Sequence, residues 1–238
     1  MGRTMRCSVR GMNDHAVVDV GDVRLAYRTW GDSYGAPVVL LHGLGGSSAT
    51  WEQVGQTLGQ EWRVYALDLR GHGESDWPDE YSVELMRDDV LGFLDELGLD
   101  RVGVVGHSMG GVVAYLLAEE HPDRVERLVL EETPPPYPRD MVDAPRPDEA
   151  IDFDWPVSPA VRAQIFDPDP EWAERLGEIV APTLIVTGGP DSSMPQGRIP
   201  DMAAAIPDSR VITIPVGHSV HEGSPQQFAE QVSEFFTS

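Results

Sequence analysis

Short, continuously apolar runs alternate with longer stretches of helical spacing along this chain, and that rhythm restricts the fold more than any other feature. Pro37–Leu41, Arg63–Leu69, Arg101–Val105, Arg127–Leu130, Pro182–Val186 and Arg210–Pro215 read as strands, the most apolar of them buried on both faces. Ser47–Leu58, Ser82–Leu97, Met109–Glu120, Ile199–Ile206 and Pro225–Phe236 read as helices. In the second of these, Val83, Met86, Val90, Phe93, Leu94 and Leu97 recur at helical spacing behind a capping Ser82. Ser47 or Ser48 caps the first. Near the start, His15–Val20 and Val23–Trp30 flank Gly21-Asp22, a hairpin signal. Strand and helix in strict alternation predict an α/β fold: a mostly parallel sheet with helices on both faces.

The length, 238 residues, suits one such domain, which buries roughly 70–75% of the surface its unfolded chain exposes. Residues 1–14 have three arginines and no apolar run behind them, and read as a disordered leader with Met12 as an alternative start. The core is expected over 15–132 and 181–238. Residues 133–180 break the rhythm: they show no clear strand and hold half of the chain's 20 prolines. Yet Ile151, Phe153, Trp155, Ile165 and Phe166 are unusually apolar for a loop. An insertion of this kind reads as a lid or a binding element.

Composition removes several function classes. A net charge of −23 argues against nucleic acid as a partner, because neutralising phosphates takes clustered cations. All 17 basic residues are arginine, so there is no phosphate-loop lysine, Schiff-base lysine or Ser–Lys dyad. No run approaches the roughly 18 apolar residues of a membrane span. Cys7 is the only cysteine. Intrachain disulfides are impossible and thiol catalysis is not expected, which fits a reducing cytoplasm.

The chemistry concentrates at "VVGHSMGG", Val104–Gly111, where a buried strand becomes a helix. Gly-x-Ser-x-Gly in that context is the pattern of a nucleophile elbow. A sharp turn lifts the Ser108 hydroxyl clear of the sheet, Gly106 and Gly110 prevent backbone collisions, and the helix N-terminus favours developing negative charge. A hydroxyl needs a base. His218 follows the last strand and swings over the edge where strand ends converge, so it is the expected general base. His15, His72 and His121 lie in less suitable places. His218-x-x-His221 resembles a metal pair, but no third ligand has suitable spacing, and His221 is expected as a lid or core polar contact. The tetrahedral intermediate needs amide donors. Leu44, in His42-Gly43-Leu44-Gly45-Gly46, and Met109, directly after the nucleophile, are placed to supply them. His42, Gly43 and His107 around these turns, with Phe153, Trp155, Ile165 and Phe166 of the insertion, are the expected substrate-binding residues, the last four shaping an apolar pocket.

With "HGLGG", "DLRGHGESD" (Asp68–Asp76), Gly-His-Ser-Met-Gly and "GHSVHEGSPQQF" (Gly217–Phe228) in one chain, the sequence from about residue 15 onward resembles the α/β-hydrolase superfamily. The resemblance implies an eight-stranded sheet, a lid between strands six and seven, here a short one, and no cofactor. It leaves the triad acid open. The usual position follows strand seven, where Asp191 stands in Thr187-Gly188-Gly189-Pro190-Asp191. A minority of members carry the acid after strand six, where Glu132 stands in "LVLEETPPP". The double glycine after strand seven favours Glu132, with Asp191 as rival and Glu131 as a bystander turned away.

The expectation is a cofactor-free serine hydrolase of carboxylic esters, thioesters or lactones, acting on a small-molecule acyl substrate. Acyl transfer or perhydrolysis on the same triad is the rival within enzymes. A ligand-binding protein with a degenerate site is the rival outside them.

Overall fold

The computed structural model describes residues 14–141 and 145–238, so the expected leader lies almost wholly outside the described residues. Eight strands form one sheet in the order β1-β2-β4-β3-β5-β6-β7-β8. They are β1 (Asp14–Val20), β2 (Val23–Trp30), β3 (Pro37–Leu41), β4 (Arg63–Leu67), β5 (Val102–His107), β6 (Val125–Glu131), β7 (Thr183–Thr187) and β8 (Ser209–Thr213). Gly21 turns the β1–β2 hairpin with φ 57°. β2 meets β4 antiparallel, and all later neighbours pair parallel. Parallel strands end on the same edge. The loops after β3, β5, β6, β7 and β8 therefore open together, and every candidate site residue of the core lies on one of them or at a strand end beside them.

The helices are α1 (Glu52–Leu58), α2 (Val83–Glu96), α3 (Met109–Glu120), α4 (Val157–Phe166), α5 (Pro170–Arg175), α6 (Ile199–Ala205), α7 (Val220–Gly223) and α8 (Pro225–Thr237). Alternation along each strand splits the core in two. On β3, Val39 and Leu41 join a cluster with α2 and α3, whereas Val38 and Leu40 join one with α1 and α8. Each fully buried aliphatic or aromatic side chain contributes roughly 1.5–3 kcal/mol, so both layers are needed to hold the sheet. Ser82 caps α2 by accepting from the Leu85 N–H. Ser47 opens a 3-10 turn, Ser48–Trp51, that precedes α1; one continuous helix was expected there.

β4 stops at Leu67, two residues earlier than expected, because Asp68 leaves the sheet to work as an anchor. Its carboxylate accepts from the Ser48 N–H at 2.6 Å and the Glu74 N–H at 3.0 Å. The following residues are tied down as well: Ser75 bridges the Ala26 N–H and the Asp68 carbonyl, and Arg70 pairs with Asp89 through two bonds of 2.5 and 2.6 Å.

The insertion between β6 and β7 holds α4, α5 and a 3-10 turn, Leu176–Glu178, which the sequence reading did not anticipate. The apolar stripe of α4 is Val157, Val161 and Ile165, one residue per turn, masked in the sequence by Pro156 and Pro159. Together with Trp172, Leu176 and Ile179 this stripe packs into the α2/α3 core. Among the described residues no helix is long and apolar enough to cross a membrane.

Candidate active site

Ser108 sits between β5 and α3 with φ 50° and ψ −114°, a left-handed conformation rare for a residue with a Cβ. The turn tolerates only glycine around it. A Cβ on Gly106 would stand 2.4 Å from the Gly110 carbonyl oxygen, and one on Gly110 would stand 2.4 Å from that of Leu41. The Ser108 N–H donates to the Glu131 carbonyl at 2.9 Å, which fixes the elbow to the end of β6. Met109 is the first residue of α3, so its N–H has no partner within its own helix.

Ser108 and His218 line one cavity of about 450 Å³. Gly43, Leu44, Gly45 and Gly46 form one wall, His107 and His221 the floor, and Thr50, Ser219 and Glu222 add polar groups. The insertion contributes Arg162 of α4. The apolar pocket expected from Phe153, Trp155, Ile165 and Phe166 is not what lines this cavity. Ile165 is buried in the α2/α3 core, and Phe166 packs against that core under the guanidinium groups of Arg139 and Arg162. Trp155 lies against Phe153, ring centroids 6.2 Å apart. Phe153 stacks on His72 and passes beside Gly45, so it backs the glycine loop from outside.

Glu132 leaves β6 with φ 47° and is 1% exposed. Its Oε2 accepts from His218 Nδ1 at 3.2 Å and from the Ser192 hydroxyl; its Oε1 accepts from the Gly188 N–H at 2.5 Å and Gln196 Nε2 at 3.2 Å. Burial alone raises the pKa of such a carboxyl, but these donors outweigh it and hold Glu132 below its ordinary value. Asp191 is exposed. With a proton on Nδ1 directed at Glu132, the other imidazole nitrogen, Nε2, is left as an acceptor.

His42 does not line the cavity. It is wholly buried, accepts from the Leu69 N–H at Nε2 (3.0 Å) and donates from Nδ1 to the Gly43 carbonyl at 2.8 Å. His72 does the same from the other side: Nε2 accepts from the Gly45 N–H at 3.2 Å, and Nδ1 bonds the Arg70 carbonyl at 3.1 Å. Burial pushes His42 down to about 4 and His72 down to about 3, so both are neutral clamps on the glycine loop. His107 donates from Nε2 to the His218 carbonyl at 3.0 Å, and burial pushes it down to about 4.

Glu131 is turned to the opposite face from Glu132, as expected, but it is not idle. Its Oε1 accepts from both the backbone N–H and the Nδ1 of His221, at 2.9 and 2.8 Å. His107, Glu131 and His221 thus form a buried cluster whose ligand-type atoms lie within 4.8 Å of one another. Spacing along the chain could not reveal it, since its members come from the ends of β5 and β6 and from α7. Arg162, His72, Ser192, Gln196 and Glu131 went unrecognised in the sequence for the same reason.

Residues 36–166 match the α/β-hydrolase fold family. A Bacillus subtilis (strain 168) protein provisionally assigned as a 2-succinyl-6-hydroxy-2,4-cyclohexadiene-1-carboxylate synthase is 30% identical, over 91% of this chain and 96% of its own length. The mouse (Mus musculus) sn-1-specific diacylglycerol lipase ABHD11 is 27% identical over 96% of this chain and 90% of its own. Among solved structures, Est816, described as an N-acyl homoserine lactone degrading enzyme, superposes with a TM-score of 0.81 at 27% identity, covering 92% of this chain and all (100%) of that one. With the eight-stranded sheet, the glycine-flanked serine and more than half of the chain matched, this protein belongs to the α/β-hydrolase fold family.

Proposed function

We propose that the protein is a cofactor-free serine hydrolase of carboxylic esters, thioesters or lactones. Ser108 Oγ attacks the carbonyl carbon as His218 Nε2 takes its proton. The Leu44 and Met109 amides stabilise the oxyanion. His218 then protonates the leaving group, and the acyl-enzyme is cleaved by a water that His218 deprotonates. Glu132 holds the imidazole tautomer and stabilises the imidazolium. The observation that carries this reading is the His218–Glu132 bond of 3.2 Å beside a cavity shared by His218 and the strained Ser108. A relative named as a diacylglycerol lipase and a neighbour described as degrading a homoserine lactone support a carboxylic ester or lactone as the bond attacked. The single cysteine is consistent with work in a reducing cytoplasm.

Arg162, Thr50, Ser219 and Glu222 give the cavity a polar wall, which favours small, polar acyl groups over long alkyl chains. A panel of p-nitrophenyl esters, acyl thioesters and lactones tests the reading. Turnover of at least one class by the wild type, lost in Ser108→Ala without a change in melting temperature, is the expected result. Turnover that survives Ser108→Ala would overturn it.

A further inference from the structure

Two carboxylates in succession, Glu131 at the end of β6 and Glu132 just beyond it, each take a histidine from the same short segment, 218–221. Successive residues of a strand point to opposite faces. Val129 points into the α1/α8 core, and Glu131 follows it two residues later. There it meets His221, whose ring stacks on Trp51 at 4.0 Å between centroids and 25° between planes. Neither Glu131 nor His221 is needed for the proton transfers described above. Both are buried all the same, Glu131 at 0% and His221 at 2% exposure.

Burying a carboxylate costs free energy unless donors satisfy it. Burial pushes the Glu131 carboxyl up, but His221 and His107 beside it hold the group below its ordinary range, so it stays charged. The Glu131 charge is therefore spent on one anchorage. Its Oε1 grips the backbone N–H and the ring of His221, three residues beyond His218, at the start of α7. The segment is gripped on its other side by His107, which donates to the His218 carbonyl. His218 is therefore held at its own carbonyl and again three residues further on, while Glu132 orients its ring.

From this juxtaposition we infer that Glu131 and His221 form a second carboxylate–histidine pair, one that does not react but positions His218 over Ser108. The inference rests on the proposed function. It assigns both residues as positioning residues rather than catalytic ones. In this cluster Glu131 Oε1 bonds His221 Nδ1 and His107 Nε2 bonds the His218 carbonyl, while Glu131 Oε2 and His221 Nε2 have no hydrogen-bond partner among the described residues, so a cation held there is an outcome that the chelator arm of the test below reads.

Two substitutions at His221 separate the hydrogen bond from the packing. His221→Asn keeps a donor close to the position of Nδ1 but loses the stack on Trp51. His221→Phe keeps the stack and loses the donor. Small displacements of a catalytic base lower turnover on the order of 10- to 100-fold. The expected result is a fall of that size in kcat for His221→Phe, with KM within about twofold and fluorophosphonate labelling of Ser108 slowed in parallel, while His221→Asn recovers most of the rate. Glu131→Asp withdraws the acceptor by one methylene and reads the same bond should His221→Phe fail to fold; it too should lose kcat at constant KM. The reverse order, with Phe active and Asn impaired, would overturn the inference. So would wild-type kcat in Glu131→Asp, or activity that a chelator removes and zinc restores. If wild-type Ser108 is not labelled at all, the proposed function fails instead, and the two failures are distinct.

Discussion

Glu132 and Asp191 are the two residues that compete for the role of the acid that orients His218. Both stand after a strand that ends at the active edge, and spacing cannot rank them. Glu132 is buried under four donors, one of them His218, whereas Asp191 is exposed, which supports Glu132 as the proposed acid. Glu132→Gln keeps the volume and deletes the charge. It should lower kcat by up to ~10⁴-fold, as loss of the orienting acid does in serine proteases. Asp191→Asn should stay within about tenfold, since exposed substitutions are usually mild. Steady-state kinetics of the two variants side by side decide the matter, and a crippled Asp191→Asn beside an active Glu132→Gln would reverse the assignment.

At the scale of elements, the glycine loop after β3 is held by side chains from another strand end. "HGLGG" reads in the sequence as an oxyanion loop, and "DLRGHGESD" as part of a family resemblance without a stated job. In the structure the second motif holds the first, through the Leu69 N–H to His42 and through His72 to Gly45. Replacing His72 by Phe removes the acceptor of the Gly45 N–H; Gly45 is exposed, so the loss is that of an ordinary hydrogen bond, about 0.5–1.5 kcal/mol. Melting temperature should fall, and kcat should fall more than KM rises, if the loop carries Leu44 as the proposed oxyanion donor. A variant that loses stability with kcat intact would show that the loop does not depend on this clamp.

The insertion was the least legible element, and for a physical reason. Its helices are short and interrupted by proline, so their period is visible only over Val157, Val161 and Ile165. Its aromatic residues suggested a pocket, yet apolar residues in an insertion have two outlets, the ligand or the core, and composition does not distinguish them. Here Ile165 goes to the core and Arg162, one turn earlier, faces the cavity. Arg162→Leu should therefore change KM across a series of acyl groups of differing polarity, with little effect on melting temperature. Uniform KM across that series would remove Arg162 from substrate recognition.

At the scale of the whole molecule, the sheet was legible because buried parallel strands leave continuous apolar runs that few other structures produce. The pairing of groups across strand ends was not, since it depends on register and on which face each residue takes. Buried ionisable groups shape the pH dependence of stability. Glu119, in the last turn of α3, is 3% exposed, and neither carboxyl oxygen has a hydrogen-bond partner among the described residues. Burial pushes it up to about 8, against the opposing charge of Arg175. The folded chain therefore holds this proton more tightly than the unfolded chain does. The group's contribution is fully present below about pH 4.5 and is lost as pH rises towards 8. His42 and His72 act in the opposite direction: their depressed pKa values favour the fold above about 6.5, and that benefit is lost as pH falls towards 4 and 3. Glu119→Gln should raise the melting temperature relative to wild type by an amount that grows from pH 5 to pH 8 and levels off above it. A difference that is flat across that range would mean the Glu119 carboxyl titrates normally.

The central claim is that Ser108 forms an acyl-enzyme under the care of His218 and Glu132. It is tested most directly by mass spectrometry of the full chain quenched shortly after mixing with an activated acyl ester. The expected result is one added acyl group, located on the peptide that contains Ser108, absent in Ser108→Ala and formed far more slowly in Glu132→Gln. An adduct on another side chain, or steady turnover through which Ser108→Ala performs as well as wild type, would contradict it.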